Sequence, residues 1–256
     1  WCVRAGLLPP HARLPARARV DYAEASITKR LLVLEAAQSL LNQPDHVWSA
    51  DLKQFLDTQT WARDAAEFYA LRKAHGETPW WEWSDELRRK EPAAISKALQ
   101  GREEDVETWC AALFLFERQW AEVRRYAASR GVRMVGDVPI YVGQDSVDVW
   151  SNQDMFLLDE NGRPTHVAGV PPDAYSETGQ RWGNPLFDWK AMAKDGHRWW
   201  IRRIERLLQH CDAMRVDHFI GFSRYWSIDA SEETALNGEW LKGPGRDVFD
   251  AVERAL

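Results

Sequence analysis

Two stretches of the chain repeat one pattern: a long helix-forming segment, a short apolar run and then an aspartate. The first covers residues 103–137 and ends at Asp137, and the second covers residues 189–217 and ends at Asp217. Apolar side chains recur at three- and four-residue intervals in residues 103–130, which predicts an amphipathic helix. A helix that leads into a buried strand is the repeating unit of parallel α/β folds.

The strands predicted in these units cover residues 132–137 and 212–217. If they are parallel neighbours in one sheet, their carboxyl ends lie on the same rim, about 5 Å apart. In a (β/α)₈ barrel that rim is the active face. We therefore predict that Asp137 and Asp217 lie close together on the functional edge of an α/β sheet.

The second strand carries an arginine two residues before its aspartate. Side chains alternate along a strand, so Arg215 and Asp217 occupy the same face. A guanidinium beside a carboxylate favours the ionised form, and an ionised, oriented carboxylate is what a glycosidic nucleophile requires. A structural Arg–Asp salt bridge at a strand end is also compatible with Met-Arg-Val-Asp-His-Phe at 214–219, and is the commoner reason for such a pair. This motif alone therefore leaves both interpretations open.

Charge and composition indicate which classes of ligand and partner the protein can bind. Two close carboxylates also suit a metal ion, but no cluster of His and Asp accompanies them in the sequence, so we expect neither a metal nor another cofactor. The net charge of −6, without a basic block, argues against nucleic acid and anionic membranes as partners. The chain has 15 tryptophans, whose flat apolar rings match the C–H face of a pyranose.

The cysteines and the apolar runs indicate the cellular compartment of the protein. Three widely spaced cysteines, Cys2, Cys110 and Cys211, favour free thiols in a reducing compartment over a disulfide framework. No apolar run approaches the length of a membrane span, and the first residues lack the apolar core of a signal peptide. We expect a cytoplasmic protein.

The predicted secondary structure changes near the middle of the chain, from mainly helical to mixed helix and strand. We expect residues 1–130 to form a mainly helical insertion or barrel-flanking segment, and residues 131–256 to supply barrel strands and loops with the active rim. Residues 189–210 are predicted as one helix.

Turn-forming residues mark the other connections of the second half. A hairpin is predicted with arms at 155–158 and 165–168, around an Asn-Gly turn. Long loops are predicted at 169–188 and 237–245, which are rich in Gly, Pro and polar residues. A long loop inside an α/β protein is usually functional, so 169–188 is a candidate for substrate binding.

Four motifs follow one another in this half: Gly-Asp-Val-Pro-Ile-Tyr-Val at 136–142, Val-Ala-Gly-Val-Pro-Pro-Asp at 167–173, Thr-Gly-Gln-Arg-Trp-Gly-Asn-Pro-Leu at 178–186 and Arg-Val-Asp-His-Phe at 215–219. Together they closely resemble the 4-α-glucanotransferases (amylomaltases, or disproportionating enzymes) of the α-amylase-like superfamily. The resemblance implies a (β/α)₈ TIM barrel with a helical insertion. It also implies transfer of α-1,4-glucan segments to the 4-hydroxyl of glucose or another glucan by a retaining double displacement.

The resemblance assigns roles to individual residues. Asp217 matches the catalytic nucleophile and Arg215 the arginine that holds it. Asp137 matches a carboxylate that binds the sugar at the nucleophile's subsite. Ala174 and Tyr175 stand where the family often has two aromatics, which predicts a weaker stacking platform. The predicted substrate-binding residues are Asp137, Asp173, Tyr175, Trp182, Asn184 and His218.

One family feature has no counterpart here: a general acid/base glutamate in a Glu-Asp-Leu-Gly-like motif. We therefore expect the chain to be the middle section of an enzyme about twice as long, an incomplete barrel that is inactive by itself. The expected partners are α-1,4-glucans (maltooligosaccharides, amylose, glycogen or starch) and glucose as acceptor, with the oligomeric state open. Two alternatives remain: an α-glucan hydrolase on the same barrel, and a non-catalytic glucan-binding fragment.

Overall fold

A computed structural model describes residues 1–13, 16 and 18–256. These residues divide into two compact units, each with its own packed interior. The first unit comprises Trp1–Thr78 and Pro92–Val123, and the second comprises Pro79–Glu91 and Arg124–Leu256.

Helices make up the regular structure of the described residues before Val135, and strands and helices mix from there on. The α-helices of the described residues are α1 (Tyr22–Leu41), α2 (Ser49–Thr58), α3 (Thr60–Ala74), α4 (Asp85–Arg88), α5 (Pro92–Leu99), α6 (Glu103–Ser129), α7 (Val147–Ser151), α8 (Trp189–Lys194), α9 (Arg198–His210) and α10 (Asp247–Ala255). The strands are β1 (Val135–Val138), β2 (His166–Val170), β3 (Gln180–Pro185), β4 (Ala213–Val216), β5 (Arg224–Asp229) and β6 (Gly238–Lys242). Short 3₁₀ turns cover Trp80–Glu82, Gln153–Met155 and Phe219–Phe222.

The first unit is built from helices that pack around a shared apolar core. Asp21 begins α1, because its carboxylate accepts a hydrogen bond from the backbone N–H of Glu24 at 3.0 Å. Helices α1 and α6 both contribute small buried side chains to this core. The core formed there includes Ala36, Ala37 and Leu40 of α1 and Ala111, Ala112 and Leu115 of α6.

In the second unit, β1 and β4 are parallel neighbours, as predicted. Asp137 lies opposite Arg215, and Val138 lies opposite Val216. The backbone N–H of Asp217, just after β4, donates to the carbonyl of Val138 at 2.8 Å. Asp137 and Asp217 therefore lie at the same end of this strand pair, which confirms the predicted rim.

A second, antiparallel sheet has the strand order β3-β2-β5-β6. It corrects the sequence prediction, because β3 lies within the predicted loop 169–188 and β6 within the predicted loop 237–245. Both are edge strands, where Gly and Pro are tolerated and polar side chains can face solvent. Local composition indicated loops, and pairing with β2 and β5 made these segments strands.

The predicted hairpin and the predicted single helix are each only partly correct. The turn forms, with the N–H of Asp159 donating to the carbonyl of Arg163 at 2.8 Å, but its arms meet only at an isolated bridge. Residues 189–210 break into α8 and α9 at Gly196 and His197, both with positive φ. The carboxylate of Asp195 accepts from the N–H of Arg198 at 3.2 Å and so satisfies a free backbone N–H at the start of α9.

Gly136, one residue before Asp137, has no room for a side chain. A Cβ at this position would lie 2.8 Å from the Sγ atom of Cys211. We expect Gly136→Ala to lower the free energy of unfolding by about 1–3 kcal/mol, because overpacking forces the strand or the thiol to move. Urea denaturation measures the change.

The control is Gly143→Ala, because a Cβ there meets nothing within 4 Å. In a Cys211→Ala background, Gly136→Ala should cost less, since the sulfur that it meets is gone. An equal cost with and without that sulfur would contradict the packing explanation.

Candidate active site

Arg215 bridges the two carboxylates of the rim. Its Nε atom donates to Oδ1 of Asp137 at 2.9 Å, and its Nη2 atom donates to Oδ2 of Asp137 at 2.6 Å. The same Nη2 lies 3.3 Å from Oδ1 of Asp217. The sequence predicted an arginine that holds Asp217, but the two-pronged interaction is made with Asp137, across the strand pair. Asp217 receives the weaker contact.

The cluster is open to solvent and to a ligand. The side chains of Asp137, Asp217 and Arg215 are 58%, 59% and 63% exposed. The hydrogen bonds from Arg215 lower the pKa of Asp137, and the same bonds raise the pKa of Arg215. Asp137 is therefore held as an anion with lone pairs accessible to a hydroxylated ligand.

Asp212 fixes the register that brings this cluster together. Its Oδ2 atom accepts from the N–H of Met134 at 2.8 Å, and its own N–H donates to the carbonyl of Met134 at 2.8 Å. Its Oδ1 atom lies 3.0 Å from Nη2 of Arg124. The N–H of Met134 lowers the pKa of Asp212 most, followed by Arg124. Asp212 is absent from the predicted set, because an aspartate before a strand carries no recognisable signature.

Trp182 and His218 form an aromatic wall beside Asp217. Their rings meet edge to face, with centroids 4.8 Å apart and planes at 86°. His218 adopts a left-handed backbone conformation (φ 50°) directly after Asp217. Burial lowers the pKa of His218, opposed by the charge of Asp217, so the neutral imidazole is favoured near pH 7. Trp182, on the edge strand β3, keeps 38% of its surface exposed.

Asn184 lies on the same strand as Trp182. Its Nδ2 atom donates to the carbonyl of Val142 at 2.9 Å. The amide therefore ties β3 to the segment that follows β1. Contact of the Asn184 side chain with a glucan stays a prediction.

Asp173 and Tyr175 belong to a tight turn. The Oδ1 atom of Asp173 accepts from the N–H of Tyr175 at 2.8 Å and from the N–H of Ser176 at 2.9 Å. Among the described residues, the hydrogen bonds of Asp173 stay inside this turn, so its carboxylate shapes the loop. Tyr175 is 96% exposed at the tip. Contact of either side chain with substrate stays a prediction.

The described residues form neither a metal-binding cluster nor a membrane-spanning helix. None of their His, Cys, Asp and Glu side chains form a group of three or more that could hold a metal ion. Of the helices described, none combines the length and apolar character needed to cross a membrane. That the reaction needs no metal stays a prediction, which a chelator would test.

Sequence comparisons identify relatives of the chain. Residues 4–256 match a family described as 4-alpha-glucanotransferase. The chain is 42% identical over 245 residues to the chloroplastic/amyloplastic 4-alpha-glucanotransferase of Solanum tuberosum, covering 93% of this chain and 42% of the relative. It is 46% identical over 196 residues to the 4-alpha-glucanotransferase of Thermus thermophilus, covering 77% of this chain and 39% of the relative. The plastid location of the potato relative means that the predicted cytoplasmic location is not supported.

The fold has a close counterpart among solved structures. The whole chain superposes on 52% of the amylomaltase from Streptococcus agalactiae in complex with acarbose, with a TM-score of 0.92 and 32% sequence identity. The chain thus spans about half the length of the proteins that it matches or less. The predicted fold class is confirmed as an α/β fold that covers part of an amylomaltase barrel. The chain belongs to the 4-alpha-glucanotransferase family, glycoside hydrolase family 77.

Proposed function

We propose that a polypeptide containing this chain transfers α-1,4-glucan segments to the 4-hydroxyl of glucose or of another glucan. The observation that carries the proposal is the Asp137–Arg215–Asp217 cluster at the carboxyl ends of adjacent parallel strands. That position is where barrel enzymes place their reacting groups. Family membership and the names of the relatives support an α-glucan as the substrate class.

Asp217 is the nucleophile of the proposed reaction. Its carboxylate attacks the anomeric carbon, the bond to the leaving oxygen breaks, and a covalent glycosyl–enzyme forms. A general acid protonates the leaving oxygen, and the family resemblance assigns this role to a glutamate in a motif that these 256 residues do not contain. That residue, now deprotonated, takes the proton of the acceptor's 4-hydroxyl as the hydroxyl oxygen displaces Asp217, and two inversions give net retention.

Asp137 and Arg215 prepare the subsite for this attack. Arg215 keeps Asp137 ionised and points one Nη2 hydrogen-bonding group at Asp217. With its carboxylate fixed by two hydrogen bonds and still more than half exposed, Asp137 accepts hydrogen bonds from sugar hydroxyls. Because both strands hold this geometry before a ligand arrives, little reorganisation accompanies binding.

The remaining predicted residues contact the glucan around this centre or support the residues that do. The exposed face of Trp182 stacks on a pyranose ring, and the neutral imidazole of His218 exchanges a hydrogen bond with a sugar hydroxyl. Tyr175, at the tip of its turn, supplies a platform for an acceptor sugar. Asn184 and Asp173 support these contacts through the main-chain hydrogen bonds that they make.

The proposed location is a reducing compartment. The three cysteines of the chain, Cys2, Cys110 and Cys211, are free thiols in the structure, which supports this assignment. Nucleic acids and membranes are not among the proposed partners, since the net charge of −6 opposes binding to anionic surfaces.

Incubation with maltotriose tests the proposed function. A polypeptide containing this chain should release glucose together with oligosaccharides longer than maltotriose. The number of reducing ends should stay constant, because each bond broken is replaced by a new one. A hydrolase would produce glucose and maltose with a rising number of reducing ends, and a non-catalytic glucan-binding protein would leave maltotriose unchanged. Either result would contradict transfer.

A further inference from the structure

The four residues that follow β1, 139–142, form a segment held by an arginine from helix α9. The Nη2 atom of Arg203 donates to the carbonyl of Pro139 at 2.7 Å, and its Nη1 atom donates to the carbonyl of Ile140 at 3.0 Å. Regular pairing of β1 ends at Val138, so these two carbonyls have left the parallel ladder. One guanidinium donates a hydrogen bond to each of these two carbonyls. These bonds fix the direction that the main chain takes after Asp137.

Ile140, in the segment 139–142, and His218 both lie beside Gly221. The Cδ1 atom of Ile140 comes so close to Gly221 that a Cβ there would lie only 2.7 Å away, and 3.3 Å from Cδ2 of His218. Ile140 is buried, with 2% of its surface exposed. A shift of the main chain at Ile140 would therefore displace Gly221, which lies in the 3₁₀ turn that directly follows His218.

The same segment supports the other side of the aromatic wall. The ring of Tyr141 is buried and lies with its centroid 6.3 Å from that of Trp182. The carbonyl of Val142 accepts the hydrogen bond from Asn184. Residues 140–142 thus lie next to the elements that carry three predicted glucan contacts, His218, Trp182 and Asn184. Arg203 holds the first two carbonyls of the segment 139–142.

Arg203 is itself held in place within its helix. Its guanidinium carbon lies 5.1 Å from the ring centroid of Trp199 and 5.0 Å from that of Trp200. Burial lowers the pKa of Arg203 to about 10, opposed by the charge of Asp148, so the group keeps its charge near pH 7. Stacked rings and a planar fork give the guanidinium a defined orientation that a flexible ammonium would lack.

We propose that Arg203 is a positioning residue for glucan transfer. It acts through the main chain of 139–142, setting the places of Asp137, Trp182 and His218 relative to Asp217. This inference rests on the proposed function, because the placement of these side chains relative to Asp217 affects a rate only if a sugar reacts at Asp217. Arg203 itself touches no reacting atom.

The test compares Arg203→Met and Arg203→Ala with the same changes at Arg202, the exposed neighbour on α9. Rates of maltotriose transfer are measured well below each variant's unfolding temperature. We expect kcat/KM to fall about 10–100-fold in the Arg203 variants, because small displacements of reacting groups carry costs of this size. The Arg202 variants should stay within about twofold of wild type, as surface substitutions usually do.

Added guanidinium ion should restore part of the activity of Arg203→Ala only, which a purely structural role would not predict.

Wild-type kinetics in Arg203→Met, or a loss in Arg203→Ala that guanidinium does not reverse, would overturn the proposal. Amide exchange at Ile140, Tyr141 and Val142 separates it from the proposed function, since this measurement needs no catalysis. Exchange should accelerate there in Arg203→Met and not in Arg202→Met. A wild-type polypeptide that transfers nothing while this difference is seen would refute the transferase function and leave the anchoring of 139–142 intact. Unchanged exchange would refute the anchoring itself.

Discussion

In a transferase-active polypeptide containing this chain, Asp217→Asn is expected to lower maltotriose transfer by more than about 10⁴-fold. The amide keeps the shape of the side chain but removes the charge that attacks the anomeric carbon. Glucan affinity should change little, because Asp137 keeps its two hydrogen bonds from Arg215 and Trp182 keeps its exposed face. Glucose release measures the rate, and tryptophan fluorescence measures the affinity.

Asp57→Asn, at an exposed position of α2, is the matched control and should transfer at the wild-type rate. Retention of more than a tenth of the activity by Asp217→Asn would show that another carboxylate is the nucleophile. Loss of binding together with rate would place Asp217 among the groups that hold the ground-state sugar.

The second large effect is expected at Arg215. Arg215→Lys should lower kcat/KM about 10²-fold, since an ammonium cannot span both oxygens of Asp137 while also reaching Asp217. Asp137 would lose the geometry that the guanidinium fork imposes. The control is Arg246→Lys, an exposed arginine whose Nε donates to Asp250 at 2.7 Å. Equal kinetics in the Arg215 and Arg246 variants would contradict the assigned role.

The pH dependence of kcat/KM also tests the role of Arg215, and the pKa of Asp137 sets the direction of the expected shift. The pKa of Asp137 is lowered because Arg215 favours the ionised carboxylate, so Asp137 stays charged as the pH falls below the usual range of an aspartate. In Arg215→Met that pKa rises, and Asp137 is protonated at higher pH. The acid limb of kcat/KM should therefore move to higher pH. An acid limb that stays in place, or moves to lower pH, would show that ionised Asp137 is not required.

The rim itself could be predicted from the sequence, because its signal is local. Helical periodicity over 103–130 and an apolar run before each aspartate indicate two helix–strand units, and parallel pairing then brings Asp137 and Asp217 to one end. The preferred partner of Arg215 could not be predicted in this way. Spacing along β4 favours Asp217, whereas the register places Asp137 directly opposite.

Other features depend on contacts between distant segments. Strand β3 contains Gly183 and Pro185, which locally indicate a loop, and only pairing with β2 makes it a strand. Helix α9 contains several arginines, and periodicity does not distinguish Arg203, which lies beside two carbonyls, from the exposed Arg202. Such roles become visible only when the elements are packed together.

Trapping the covalent intermediate tests most directly whether Asp217 is the nucleophile. A 5-fluoro-α-glucosyl fluoride slows the release of the glycosyl–enzyme, so the labelled carboxylate can be located by peptide mass mapping. The label should be found on Asp217 in the wild type and should be absent from Asp217→Asn. A label on Asp137, or on any carboxylate other than Asp217, would contradict the assignment.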